Sequence, residues 1–265
     1  MNIHIKDENL FNNLKDATIF KMKIGSHLYK TNNINSDTDY LYIYATSKNE
    51  LLSYINSHHQ LQYKENNVDY IFVSLHNFMK NIINGDSPIN FEVIHTDEFN
   101  TSCLSWICDH KTNFITYTTI RSYLGICRRD IKQFHKLKNK YERDKKLKHI
   151  IRGYLYAKNM FENNFDFYKC NSELINIEID SSNNKQLRYY EDLISNLRTD
   201  LNYHKDNNLL QIPFIINVDK SYELNSKFIK YCDSDHFKIL QNKLNDFNMD
   251  IFINALENWI SYENI

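Results

Sequence analysis

The stretch Gly25–Tyr44, GSHLYKTNNINSDTDYLYIY, decides how the rest of the chain is read. Its second half, DYLYIYA from Asp39, is aromatic and β-branched and predicts a strand over 39–45. Its middle, Lys30 to Ser36, holds Thr31, three Asn residues and a Ser, which is turn material. The residues before it, ATIFKMKI (17–24), predict a strand running into Gly25-Ser26. Asp37 and Asp39 stand two apart at the mouth of the second strand, and i, i+2 side chains of a strand share a face.

Working outward, VDYIFV (68–73) predicts a third strand opened by Asp69, and residues 74–83 a helix stopped by Gly85. Residues 48–57 suit a helix. INFEVIH (89–95), led in by Pro88 and alternating in apolar residues, is expected as a fourth strand with Glu92 opposite its apolar neighbours, either toward the site or on a plain polar strand face. Beyond residue 97 helical spacing dominates, through 97–109, 117–140, 144–163, 185–203 and 235–262. Strands followed by helices imply an α+β (α/β) fold: a small α/β domain over 1–112 and a helical domain over 113–265.

If the three strands pair, Asp37, Asp39 and Asp69 meet at one edge of the sheet. Gathered carboxylates are costly unless cations neutralise them, and hard divalent ions with oxygen ligands do so. Two Mg²⁺ or Mn²⁺ ions roughly 3.5–4 Å apart would clamp the attacking and leaving oxygens of a phosphoryl or nucleotidyl transfer. Gly25 lets the backbone approach a phosphate, Ser26 adds a hydroxyl and an N–H, and Ser36 holds the loop or the phosphate. His27 lies beside the same loop. Asp-x-Asp alone is usually a solvated turn; strand, GS, ten-residue loop, SDTD, strand, then a lone Asp opening a third strand is far more specific.

This arrangement resembles the GS…DxD signature of the polymerase-beta nucleotidyltransferase superfamily. More narrowly, it is similar to the branch of predicted nucleotidyltransferases of RNA repair operons, found in bacteria and phages. VDYIFVSLHNFMKNIINGDSPINFEVIHT (68–96), SYLGICRRD (122–130) and KHIIRGYLYAKNMFE (148–162) extend the likeness over residues 17–165, with looser echoes to Pro213. The resemblance implies an NTP substrate, metal-bound carboxylates at Asp37, Asp39 and Asp69, and an acceptor hydroxyl, foremost on an RNA end. Transfer to a protein or a small molecule, or a non-catalytic binding partner, are the rival outcomes. Members often carry Gly where this chain has Lys30.

The net charge of -1 conceals a basic segment. Arg121–Arg152 holds 12 Lys or Arg against 3 acids. Within it His149 and Arg152 are i, i+3 on one expected helix with Lys148 adjacent; the resemblance puts that helix beside the active site, as nucleotide-binding residues, and the alternative is that they salt-bridge or cap within the helical domain. Arg128, Arg129 and Lys132 form a second basic face that suits an RNA backbone or, more blandly, a solvated helix surface. Tyr123, Phe134 and Tyr141 lie among the charges, and at helical spacing they read as core before they read as base-stacking groups. Gly (4) and Pro (2) are scarce, and abundant Asn, Lys, Ile and Tyr fit an AT-rich genome, viral ones included. The five scattered cysteines, with no CxxC pair, read as reduced thiols. With no apolar run of membrane length and a polar N-terminus, a cytoplasmic protein is expected.

Overall fold

The computed structural model describes residues 2–5, 8–31, 37–44, 60–182 and 184–207. The helices expected over 48–57 and 235–262, together with Ser36 and Cys232, lie outside the described residues. The fold is mixed α and β, and its described residues belong to two compact units: 1–81 with 97–109, and 82–96 with 110–207.

The first unit is built on a mixed sheet of β2 (Thr18–Ile24), β3 (Thr38–Tyr44), β4 (Gln60–Glu65) and β5 (Val68–Ser74), in the order β4-β5-β3-β2. A three-residue strand, β1 (Asn2–His4), adds to β4 in parallel. β3 and β5 are parallel, while β2 and β4 run antiparallel to them on either side. The strands over 17–24, 39–45 and 68–73 are therefore found within a residue of their expected bounds. β4 was not anticipated. It turns into β5 through Asn66-Asn67, both at positive φ (47° and 63°), the backbone of a two-residue hairpin that matches the sheet's twist.

Alternation gives the sheet two different faces. On one, Phe11 of α1 (Glu8–Asp16) stacks on Tyr63 at 4.1 Å and meets Tyr70 and Phe72 edge-on. Tyr42, Tyr44 and Leu14 close this aromatic cluster. The other face carries Leu41 and Ile43, both fully buried, and each such side chain contributes about 1.5–3 kcal/mol. There Phe20, paired with Ile43, meets Phe99 of the short helix α4 (Asp97–Asn100), which stacks on Phe78 of α2 (Leu75–Asn84). α2 stops at Gly85, whose N–H donates to the Ile82 carbonyl.

Residues 89–95 are not a strand. Ser87 and Pro88 open a six-residue helix, α3 (Pro88–Val93), because Pro at the first helical position has its φ preset and needs no N–H. All of Asn90, Phe91, Glu92 and Val93 are buried, so the apolar alternation there does not mark a solvent face. Glu92 consequently does not stand on the sheet; its Oε1 accepts the Tyr123 hydroxyl at 3.0 Å.

After a 3-10 segment, Ser105–Phe114, the second unit runs through α5 (Tyr117–Phe134), α6 (Lys140–Phe161), α7 (Phe167–Asn176) and α8 (Lys185–Asp206). Side chains of Thr116, Asn139 and Asp166 cap α5, α6 and α7. The stretch 97–109, expected as one helix, is instead the four-residue α4 and the start of the 3-10 segment, and α7 was unforeseen. α5 and α6 pack closely: Gly153 lies against the Cys127 thiol, which donates to the Ile150 carbonyl. Cys108, Cys127 and Cys170 are buried and free and Cys103 is exposed and free. Tyr123 and Phe134 are core residues and Tyr141 is exposed. No helix among the described residues is long and apolar enough to cross a membrane.

Candidate active site

The strand register assembles the site. Asp39 of β3 and Asp69 of β5 are direct partners across the parallel pair, so their side chains rise from one face of the sheet on neighbouring strands. Ile24 of β2 is Asp39's partner on one side, and Lys64 of β4 is Asp69's partner on the other. One row thus reads Ile24, Asp39, Asp69, Lys64, one step below the fully buried Leu41. Both aspartates are half-buried.

Gly25 closes the row on the Asp39 side. Its φ is 64°, and a Cβ there would overlap Asp39 Oδ2 and stand 3.4 Å from Cγ. The carboxylate rests against bare backbone, an approach that any other residue blocks. Lys64 closes the Asp69 side, its Nζ 3.2 Å from Oδ1 and 3.4 Å from Oδ2. Ser26 belongs to the compact turn that follows β2, where its carbonyl accepts the Thr31 N–H at 2.9 Å. His27 is part of that turn and its carbonyl accepts the Lys30 N–H. Lys30 ends the turn at φ 54°, a left-handed conformation that favours Gly.

Asp37 is placed differently. It is exposed and immediately precedes Thr38, the first residue of β3. Among the described residues no three His, Cys, Asp or Glu side chains gather closely enough to share a metal ion. The structure brings together Asp39 and Asp69, and it leaves Asp37 at the rim. Two carboxylates are oxygen donors of the kind a hard divalent cation takes, and the Lys64 ammonium already stands as a cation on the oxygens of Asp69.

No family model matches the chain, and no curated protein or solved structure matches it either.

The basic residues belong to the second unit. Arg128, Lys132 and Lys148 are exposed and make no ion pair among the described residues. His149 turns toward α5, its Nδ1 3.9 Å from Asp130 Oδ2. Asp130 is the residue that the sequence reading passed over. Its side chain is 3% exposed and also takes Arg129 Nε at 3.3 Å and Lys146 Nζ at 3.5 Å. Burial, then the nearby Arg152, Lys146, Lys145 and Arg129, push the His149 imidazole down to about 3, so it is neutral at pH 7. A neutral His149 offers a hydrogen bond to a phosphate and no charge. Arg152 is half-buried one turn further on. The signal for Asp130 was available: an acid inside RRDIK, on the side of α5 shared with the buried Cys127 and Phe134, sits where only paired charges persist.

Proposed function

We propose that the chain is a metal-dependent nucleotidyltransferase of the polymerase-beta type, moving NMP from an NTP to an acceptor hydroxyl on an RNA end. One observation carries the reading. Two carboxylates, Asp39 and Asp69, share a rung and a face of the sheet, with the backbone of Gly25 pressed against the first.

Asp39 and Asp69, joined from the rim by Asp37, would hold Mg²⁺ or Mn²⁺, two ions in the resembled superfamily. Bound there, the ions would supply charge neutralisation for the triphosphate and the departing pyrophosphate. The rest falls to the chain. The turn at Gly25-Ser26 binds the β- and γ-phosphates through its backbone and the Ser26 hydroxyl. Asp69 accepts the proton of the acceptor hydroxyl, whose oxygen then attacks the α-phosphorus. The bond to the bridging oxygen breaks and pyrophosphate leaves. Alignment of the two reactants supplies much of the rate, since the protein makes no covalent bond. Lys148, His149 and Arg152 are the nucleotide-binding candidates, with Arg128, Arg129 and Lys132 for the RNA backbone.

The test incubates the protein with each α-labelled NTP, Mg²⁺ or Mn²⁺, and total RNA with cell extract, read on denaturing gels. Label in an RNA band, lost in Asp39→Ala and Asp69→Ala, is the expected result; Asp37→Ala reports on the rim carboxylate. Label in a protein band would redirect the reading to protein modification. No label from folded protein would make it a non-catalytic binding partner.

A further inference from the structure

We propose that Lys64 is the internal counter-ion of the Asp39–Asp69 pair and competes with a divalent cation for Asp69. The inference rests on the carboxylate reading above and adds a residue to it.

Lys64 is the register partner of Asp69 across the β4–β5 hairpin, so its side chain leaves the same face as both carboxylates. The two-residue turn Asn66-Asn67 fixes that register, and a slip of one residue would send Lys64 to the aromatic face. Its ammonium contacts both oxygens of Asp69, at 3.2 and 3.4 Å. These are the atoms through which Asp69 would hold an ion shared with Asp39. Like charges on directly opposed strand positions repel, and a cation on one of them offsets that repulsion. Lys64 provides such a cation from within the sheet.

The pairing is also a weak one. The side chains of Lys64 and Asp69 are 59% and 39% exposed, so water screens the attraction and the lysine leaves readily. A strong, dry salt bridge would exclude an ion; this one only taxes its binding. From the strength of exposed ion pairs, the tax is about two- to fivefold in ion affinity.

The experiment titrates Mn²⁺ into the full chain and reads free Mn²⁺ by its paramagnetic resonance signal, with no nucleotide and no turnover. Wild type, Lys64→Met, Lys64→Arg and Asp69→Asn are compared, each shown to be folded by circular dichroism and urea unfolding. Lys64→Met is expected to bind about two- to fivefold more tightly. Lys64→Arg, which keeps the charge, is expected to bind like wild type, and Asp69→Asn to lose binding. Unchanged or weaker binding by Lys64→Met overturns the counter-ion role; if Asp69→Asn still abolishes binding, the carboxylate reading survives that result. Absence of binding in both wild type and Lys64→Met overturns the two together.

Discussion

Replacing Gly25 with Ala puts a methyl group where the structure leaves none for it. The Cβ would overlap Asp39 Oδ2 and approach its Cγ to 3.4 Å, at a backbone φ of 64°. The left-handed conformation costs an L-residue roughly 1–2 kcal/mol. Asp39 is half-buried, so overpacking adds less than in a sealed core. A retreat on the order of 1 Å relieves the overlap, and a 1 Å misplacement of a reacting group costs about 100-fold in rate. The expected result is therefore a stability loss of about 1–2 kcal/mol, with transfer activity down about 100-fold. Gly125→Ala is the internal control. A Cβ there meets nothing within 4 Å in the middle of α5, so it should stabilise by about 0.5–1 kcal/mol and leave activity alone. Equilibrium urea unfolding gives the stabilities, and labelled-NTP transfer with Mn²⁺ binding reads the site. A Gly25→Ala protein that loses stability but keeps activity and Mn²⁺ affinity would reduce Gly25 to a turn residue. One that loses neither would refute the reasoning.

Three further outcomes follow from the packing and the charges. His95 lies against Phe91 and Phe165 with its Nε2 buried and without a partner among the described residues; burial first, then Lys111, push the imidazole down to about 3. The unfolded chain takes up that proton below about 6.5, so stability is full above this pH and falls as pH drops toward 3. The loss is on the order of 3 kcal/mol by pH 4, and His95→Phe should flatten it in urea melts at pH 7 and 4. His149 adds to the slope in the same sense, discounted because its side chain is 36% exposed. Gly153→Ala drives a Cβ to 2.6 Å from Cys127 Sγ and should cost about 1–3 kcal/mol, partly recovered when Cys127→Ala is added to it. Mg²⁺ at a hundredfold excess over its dissociation constant should raise the unfolding free energy by about 2.7 kcal/mol in wild type and by nothing in Asp39→Asn. Equal shifts in both proteins would remove Asp39 from the ion site.

The strands with the densest aromatic and β-branched content were legible, because 38–44 and 68–74 bury both faces over their second halves and 18–24 alternates buried and exposed residues. β4 was not, since QLQYKE has no apolar run of its own; it is a strand by pairing with β5, and Asn66-Asn67 was the signal that could have shown it. Residues 89–95 were misread because alternation over so short a run does not separate strand from helix, whereas Ser87-Pro88 favours a helical start. The site was legible to the level of residue type. That Asp39 and Asp69 face each other is a property of register, and register follows from which strands pair. The expected meeting of three carboxylates is not seen, since no three such side chains gather among the described residues, and Asp37 lies one residue outside β3. Asp130 was hidden because acid within a basic run looks like surface, and only the packing of α6 on α5 buries it.

The Asp39–Asp69 rung works against the sheet that holds it. Above it, Tyr40 stacks on Tyr70 at 6.0 Å and Tyr42 meets Phe72 at 4.9 Å, pairs that each stabilise by about 0.2–1 kcal/mol. On the carboxylate face itself the next rungs are Leu41–Ile71 and Ile43–Val73, both apolar. A sheet selected for stability alone would continue that series. Instead the chain opposes two acids, presses a positive-φ Gly against one of them, and closes the following turn with Lys30 at φ 54°. Lys30 in that conformation is strained, and the opposed acids need the Lys64 ammonium beside them. Backbone strain and like-charge contacts persist where something other than the fold requires them. The rung's depth also suits ion chemistry. One step further in, at Leu41, the sheet is dry and a charge would be ruinously desolvated; one step out, at Asp37, water screens it. On the proposed reading, half-buried carboxylates on such a rung would keep a divalent ion accessible while making its field stronger than it would be in open water.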